Sequence, residues 1–306
     1  MGLKELRVAA AWKGHARRVS SVSLAPDATR LLSGSLDRTL KLWALPTGEL
    51  LRTFDGHASD VNAVALSPDR RLAASGSGEM LGGESVVRLW DVDSGRPLRD
   101  LVGHESEVSA IGLAAASDRL VSGGVDASVR VWELSSGRCL RSLLGHGRWV
   151  RSVVASGDGA RIVSAGMDGE LRVWNAETGR CEQLLRDPAE KLYSVALSPD
   201  GARALSAGRG GRVHVWDLAG GRELGALEGH AGVVRAVCWC PDGRWAVSGG
   251  EDRTLRVWDV AAGTCLWTET VSGSILSLAV SQDSCRVAAG TYDRGLMLFE
   301  LAWEPR

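Results

Sequence analysis

Two tyrosines and two phenylalanines are all the aromatic residues this 306-residue chain carries besides tryptophan. Proline is scarce as well, at 8 residues, and cysteine at 6. No run approaches the ~18 consecutive apolar residues of a membrane-spanning helix. Near the N-terminus only Val8 to Trp12 is apolar, too short for the core of a signal peptide. Leu6 breaks the pattern that would mark Gly2 for myristoylation. Without an export signal, the few cysteines argue against a disulfide framework and for a reducing, cytoplasmic setting. The formal net charge is −1 with 24% charged residues, which disfavours a strongly basic nucleic-acid binder. What the chain does have is 44% hydrophobic residues, enough for a core, and 12 tryptophans. Such an excess of one rare residue suggests that a single structural role is repeated.

The repeat is explicit. Tryptophans at 43, 90, 132, 174, 216 and 258 lie 47, 42, 42, 42 and 42 residues apart, and Phe299 follows after 41. Gly-His pairs place His15, His57, His104, His146 and His230 ahead of their tryptophans by 28 residues, or 33 for His57, where the chain has an insertion. Seven repeats account for almost the whole sequence.

Within one repeat the hydrophobic period is two. Val61 to Leu66 alternates, Ser67-Pro68-Asp69 forms a turn, and Leu72–Ser75, Val86–Trp90 and Pro97–Val102 follow between further turns. No segment has the 3.6-residue period of an amphipathic helix. Seven four-stranded units can bury their faces only against neighbours, and a closed ring does so while leaving few open edges. The expected fold is therefore all-β, a seven-bladed propeller in one domain spanning residues 1–306.

Gly14-His15, Ser33-Gly34-Ser35-Leu36-Asp37 and Trp43, together with Trp90-Asp91, Trp216-Asp217 and Trp258-Asp259, resemble the WD40 β-propellers over essentially the whole chain. The resemblance implies a hydrogen-bonded chain in each blade: a turn Asp holds the His, the His holds a strand Ser, and the Ser accepts from the Trp indole. Four blades carry the full set: His15, Ser33, Asp37 and Trp43; His104, Ser122, Asp126 and Trp132; His146, Ser164, Asp168 and Trp174; His230, Ser248, Asp252 and Trp258. The second has Glu84 for Asp. The fifth has Pro188 for His and Gly210 for Asp. The seventh has Val271, Ala289 and Phe299 for His, Ser and Trp. Blades 5 and 7 are thus expected to be the softer ones.

The ends point to how the ring closes. Too few residues follow Phe299 to make a fourth strand, and residues 3–12 form a strand without a blade. The N-terminal strand is expected to latch the seventh blade.

Little is left for chemistry. Five histidines belong to the repeat. The sixth, His214, occupies a position held elsewhere by Lys41, Arg88, Arg130, Arg172 and Arg256, and reads as a blade-face contact. Cys139, Cys181 and Cys265 share one repeat position and read as small apolar residues of an outer strand. Cys238 and Cys240 flank Trp239 with no free histidine to complete a metal site. There is no nucleophile elbow and no phosphate-binding loop. Neither enzyme activity nor a metal or cofactor is implied.

In WD40 proteins the binding face carries residues three and five after the His and one before the turn Asp. Carried over, these positions gather Trp149, Arg151 and Met167 in blade 4, Lys191, Tyr193 and Arg209 in blade 5, Arg235 in blade 6 and Tyr292 in blade 7. Blade 2 supplies Gly83 as its position before the turn, and Met80 and Leu81 in its insertion form an apolar loop tip. Trp, Tyr and Arg are enriched in interaction hot spots. The expected function is a monomeric, non-catalytic scaffold that binds a protein or peptide segment, acidic or phosphorylated, over the central channel. Two other readings stay open: a sensor or recruitment domain for an associated catalytic protein, and a nucleic-acid-binding propeller with no more cations than this charge balance allows.

Overall fold

The computed structural model describes residues 3–79, 82–114, 117–186 and 191–303. They form seven four-stranded antiparallel sheets. Six sheets are built from four consecutive strands each. The seventh joins the latch strand Leu3–Lys13 to the closing strand Gly295–Trp303, in the order latch, closing strand, Arg286–Thr291, Ile275–Val280. The innermost strands, from Val19–Leu24 in blade 1 to Ile275–Val280 in blade 7, pack against one another around the ring, and the last packs on the first. The propeller and its N-terminal latch are therefore as the repeat implies. No helix among the described residues is long and apolar enough to cross a membrane.

The latch is antiparallel, with Leu6 opposite Leu301, Val8 opposite Phe299 and Trp12 opposite Leu296. Leu6 is buried, and Arg7 donates to Glu300 at 2.6 Å. Trp12 meets Trp43 of blade 1 edge to face, with ring centroids 6.1 Å apart. Gly48, at φ +72°, lies so close that a β-carbon there would sit 2.9 Å from the Trp12 ring. The latch thus ties blade 7 to blade 1. At the closing strand's other end Trp303 stacks on Trp245 of blade 6 at 5.1 Å.

Each blade core is organised by its polar chain. In blade 1 the Trp43 indole N–H donates to Ser33 Oγ at 2.8 Å. His15 Nε2 lies 2.8 Å from the same hydroxyl, and its Nδ1 lies 2.9 Å from Asp37 Oδ2. Ionised Asp37 can only accept, so the histidine carries a proton on Nδ1 and donates it to the carboxylate. Asp37 also caps the backbone N–H of Ala16 at 2.8 Å. The same chain closes through Trp132, Ser122, His104 and Asp126, through Trp174, Ser164, His146 and Asp168, and through Trp258, Ser248, His230 and Asp252. Each bond is worth about 0.5–1.5 kcal/mol net, while a stranded buried partner costs about 1–3 kcal/mol.

The variant blades solve the same problem differently. In blade 2 Glu84 caps the Ala58 N–H at 2.8 Å, but its carboxylate stays 3.5 Å from His57 Nδ1. Blade 5 keeps Trp216 donating to Ser206 at 2.9 Å. Its Pro188 lies outside the described residues. Blade 7 buries Val271, Ala289 and Phe299 together, so no polar group of the set is left without a partner. Apolar replacement of a whole network can be nearly neutral, so of the two blades expected to be softer, blade 5 is the one for which that expectation stands.

Neighbouring blades are tied by bonds that the family motif does not include. Serines of one inner strand accept backbone N–H groups of the next: Val64 N–H to Ser21, Val195 to Ser152, Val237 to Ser194 and Val22 to Ser277, all at 3.0–3.1 Å. An inner strand is a sheet edge with free N–H groups, and these hydroxyls satisfy them. On the opposite side, Arg119, Arg161, Arg203 and Arg286 each donate to a turn carbonyl of the following blade, those of Gly159, Gly201, Gly243 and Ala28.

Cys139, Cys181 and Cys265 lie on outer strands, opposite the bulges at Trp132, Trp174 and Trp258, and are exposed. They occupy the outer-strand position expected of them, exposed at the rim.

Deleting residues 1–13 should lower the melting temperature by well over 10 °C, or prevent folding, because it exposes two strand edges; a melt within a degree or two of the intact chain would rule out the latch as a stabilising element. In native-state hydrogen exchange, the inner strands of blade 5 should exchange ahead of those of blade 6. Equal protection would show that the polar chain does not set blade stability.

Candidate functional site

One backbone bond, repeated in every blade, builds the face that carries the Gly-His loops. The residue three places after the histidine position offers its carbonyl to an N–H at the start of the tight turn. Leu36 donates to Arg18 at 3.3 Å, Val125 to Glu107 at 2.9 Å, Met167 to Trp149 at 2.8 Å and Arg209 to Lys191 at 3.0 Å. Glu251 donates to Val233 at 2.8 Å and Tyr292 to Ser274 at 3.0 Å. In blade 2 the donor to Asp60 is Gly78, at 3.1 Å, not Gly83. The insertion follows the paired position instead of displacing it. Its tip, Met80 and Leu81, lies outside the described residues.

Within this circle of pairs opens a cavity of about 690 Å³, lined from all seven blades, inside the usual range of roughly 300–1,000 Å³ for ligand clefts. Position decides which residues reach it. Those five places after the histidine position all line it: Ser20, Asn62, Ser109, Arg151, Tyr193, Arg235 and Leu276. They are the second residues of the inner strands, where the pleat aims alternate side chains at the axis. The other two positions sit farther out on the loops, and only some reach inward.

Of the eight residues expected on the partner face, Trp149, Arg151, Tyr193, Arg235 and Tyr292 therefore line one cavity, whereas Met167, Lys191 and Arg209 do not. Arg18, Glu107 and Glu251 line it too. They occupy mapped positions, but nothing in the sequence indicates whether their side chains face the axis.

The two glutamates change the electrostatics expected for blades 4 to 6. The Arg235 guanidinium donates from Nε to Glu251 at 2.8 Å and lies over the Tyr193 ring at 4.1 Å. Arg151 lies 3.8 Å from the Glu107 carboxylate of blade 3. Burial pulls the Arg151 guanidinium below its ordinary value and pushes the Glu107 carboxyl up, and the opposite charge of each partner opposes the shift. Burial, with the nearby Glu79, raises Asp60 as well, although Arg17 lies 3.5 Å away. Arg18 lies 5.6 Å from the centre of the Tyr292 ring. The mouth is thus aromatic and hydroxyl-rich, with much of its charge met internally.

Groups suited to proton transfer or metal binding are engaged elsewhere. His214 is buried, with Nδ1 2.6 Å from Glu223 of the adjoining strand. Burial pushes the Cys238 thiol up to about 12, and Cys240 is raised likewise, which leaves both as unreactive thiols. His146, Asp168 and Glu170 bring donor atoms within 4.8 Å of one another. The first two are bonded to each other, and Glu170 accepts from Arg172 at 2.7 Å.

Burial tends to raise the turn carboxylates Asp37, Asp126, Asp168 and Asp252, but hydrogen bonds from their histidines and the backbone hold all four below the ordinary carboxylate range. Their stabilisation is complete above about pH 4 and is lost as pH falls through the folded values. His57 behaves in another way. Burial, then repulsion from Arg88, brings it down to about 4, against the pull of Glu84.

Residues 80–302 match the family model described as IFT122 first beta-propeller. Residues 6–44 and 48–91 match the model described as WD domain, G-beta repeat. A comparison with curated proteins returns no match.

Because His57 is neutral in the fold and binds a proton near pH 6.5 in the unfolded chain, stability should fall as pH drops from about 6.5 to 4. The slope from this one group is about 1.4 kcal/mol per pH unit. Chemical denaturation across that window should show this slope reduced by one proton in His57→Gln. An unchanged slope would show that His57 is not the buried neutral group.

Proposed function

Because the chain belongs to the WD40-repeat β-propellers, in the family of the IFT122 first beta-propeller, we propose that it is a non-catalytic platform that binds a protein or peptide segment across the mouth of the central cavity. WD40 propellers are generally protein-interaction scaffolds.

The observation that carries this reading is the convergence on one cavity of both tyrosines of the chain with Trp149, which lies outside the repeated series. Trp149 and Tyr193 are half-buried and Tyr292 is 59% exposed. Half-buried aromatic rings on a rigid scaffold offer apolar area at little entropic cost. Beside them Arg151, Arg235 and the inner-strand serines supply donors that fix an extended backbone or a polar side chain. The ring is closed and stitched blade to blade, so the face is pre-formed.

The test is an array of random peptides probed with the intact protein and with Trp149→Ala/Tyr193→Ala. The double variant should lose about tenfold or more in affinity for the selected peptides, with an unchanged melting temperature. If the selected peptides bind the variant as well as the parent, the cavity mouth is not the binding site.

A further inference from the structure

Two of the four cations that the mapped positions place over blades 4 to 6 are met by carboxylates. In blades 4 to 6, Arg235 is bonded to Glu251 and Arg151 faces Glu107. In blades 1 and 2, Arg17 pairs with Asp60, and Arg38 pairs with Glu79 at 3.3 Å. Among the described residues, Arg148 and Arg209 over blades 4 and 5 are exposed and form no ion pair, and the same holds for Arg18, Arg253 and Arg294. The last three stand on consecutive blades of the ring, 1, 6 and 7. Arg253 and Arg294 each follow a turn Asp, at φ +62° and +71°.

The carboxylates between these arginines are turned inward. Asp252 lies 2.8 Å from His230 Nδ1, and Asp293 accepts from Thr291 at 2.6 Å. Neither is placed to neutralise the arginines beside it. The exposed Tyr292 lies in the same arc, under Arg18. Arg18 and Tyr292 also line the central cavity, so the arc is continuous with its mouth.

We infer that the rim over blades 6, 7 and 1 is an anion-recognising extension of the binding face, on which Arg18, Arg253 and Arg294 hold carboxylate or phosphoryl side chains of the bound protein segment. The inference rests on the segment crossing the cavity mouth as proposed above. Guanidinium groups match carboxylate and phosphate oxygens in paired hydrogen bonds. A protein segment fits better than a nucleic acid: the chain's net charge is −1 and the arc offers only three unpaired cations and one aromatic ring.

The experiment measures fluorescence anisotropy of labelled octaglutamate, a phosphoserine-rich peptide, octalysine and oligothymidylate on the full chain. The variant is Arg18→Glu/Arg253→Glu/Arg294→Glu. The control, Arg71→Glu/Arg96→Glu/Arg180→Glu, makes the same charge change at exposed arginines outside the arc. Thermal melts check that both fold. The arc variant should lose about tenfold or more in affinity for an anionic peptide and the control less than about twofold. Octalysine should bind neither the parent nor the control. Loss confined to the phosphoserine peptide supports the inference with phosphate as the source, and loss confined to octaglutamate supports it with carboxylate. Equal losses in the two variants, no loss in either, or tighter binding of oligothymidylate than of the anionic peptides would overturn it. The two readings fail separately. If Trp149→Ala/Tyr193→Ala still weakens capture while the arc variant behaves like its control, only the anionic rim is lost.

Discussion

The pairing of Leu3–Lys13 with Gly295–Trp303 is the contact on which the rest of the structure depends. Each four-stranded blade has an apolar face that only the next blade can cover, so an open ring would leave two such faces and two strand edges in water. The latch removes both. It does so with modest means: Leu6 is its one fully buried side chain, Arg7–Glu300 its ion pair, and Trp12 reaches across to Trp43 in blade 1. The backbone ladder supplies most of the rest. Because the two strands lie at opposite ends of the sequence, closure couples every blade to the chain termini.

Inside the closed ring, polar groups are paired in two separate systems. The Trp–Ser–His–Asp chains hold the outer parts of the blades in one geometry, and they are buried enough that a missing member must be replaced in kind or removed as a set. Blade 7 removes the set, with Val271, Ala289 and Phe299 in apolar contact. Blade 2 substitutes imperfectly, which leaves His57 Nδ1 without a hydrogen bond and its imidazole hard to protonate. The second system joins blades at the axis, where Ser21, Ser152, Ser194 and Ser277 accept the free N–H groups of their neighbours. A rigid axis follows, and with it a cavity whose lining is fixed before any partner arrives.

The proposed binding face was partly legible in the sequence. Arg151, Tyr193 and Arg235 could be placed because a period of 42 residues carries an inner-strand position from blade to blade, and a pleated strand leaves no choice of direction. Met167, Lys191 and Arg209 could not be placed in the same way. They stand in loops, where side-chain direction depends on local turn geometry. Charge was less legible still. The mapped positions put Arg151, Lys191, Arg209 and Arg235 over blades 4 to 6, but Glu107 and Glu251 come to two of them, Arg151 and Arg235, through contacts that no local pattern encodes.

By itself the sequence determined the repeat, the strand count, the polar chains and the latch. The repeat and the strand count follow from periodic identity, the polar chains from the resemblance to WD40 propellers, and the latch from a strand-like segment that has no blade of its own. Tertiary structure alone decided what is not periodic. It settled which charges neutralise one another, which loop residues meet the cavity, and that Gly78 rather than Gly83 pairs with Asp60. These depend on distances between side chains of different blades, which closing the ring sets and local sequence does not.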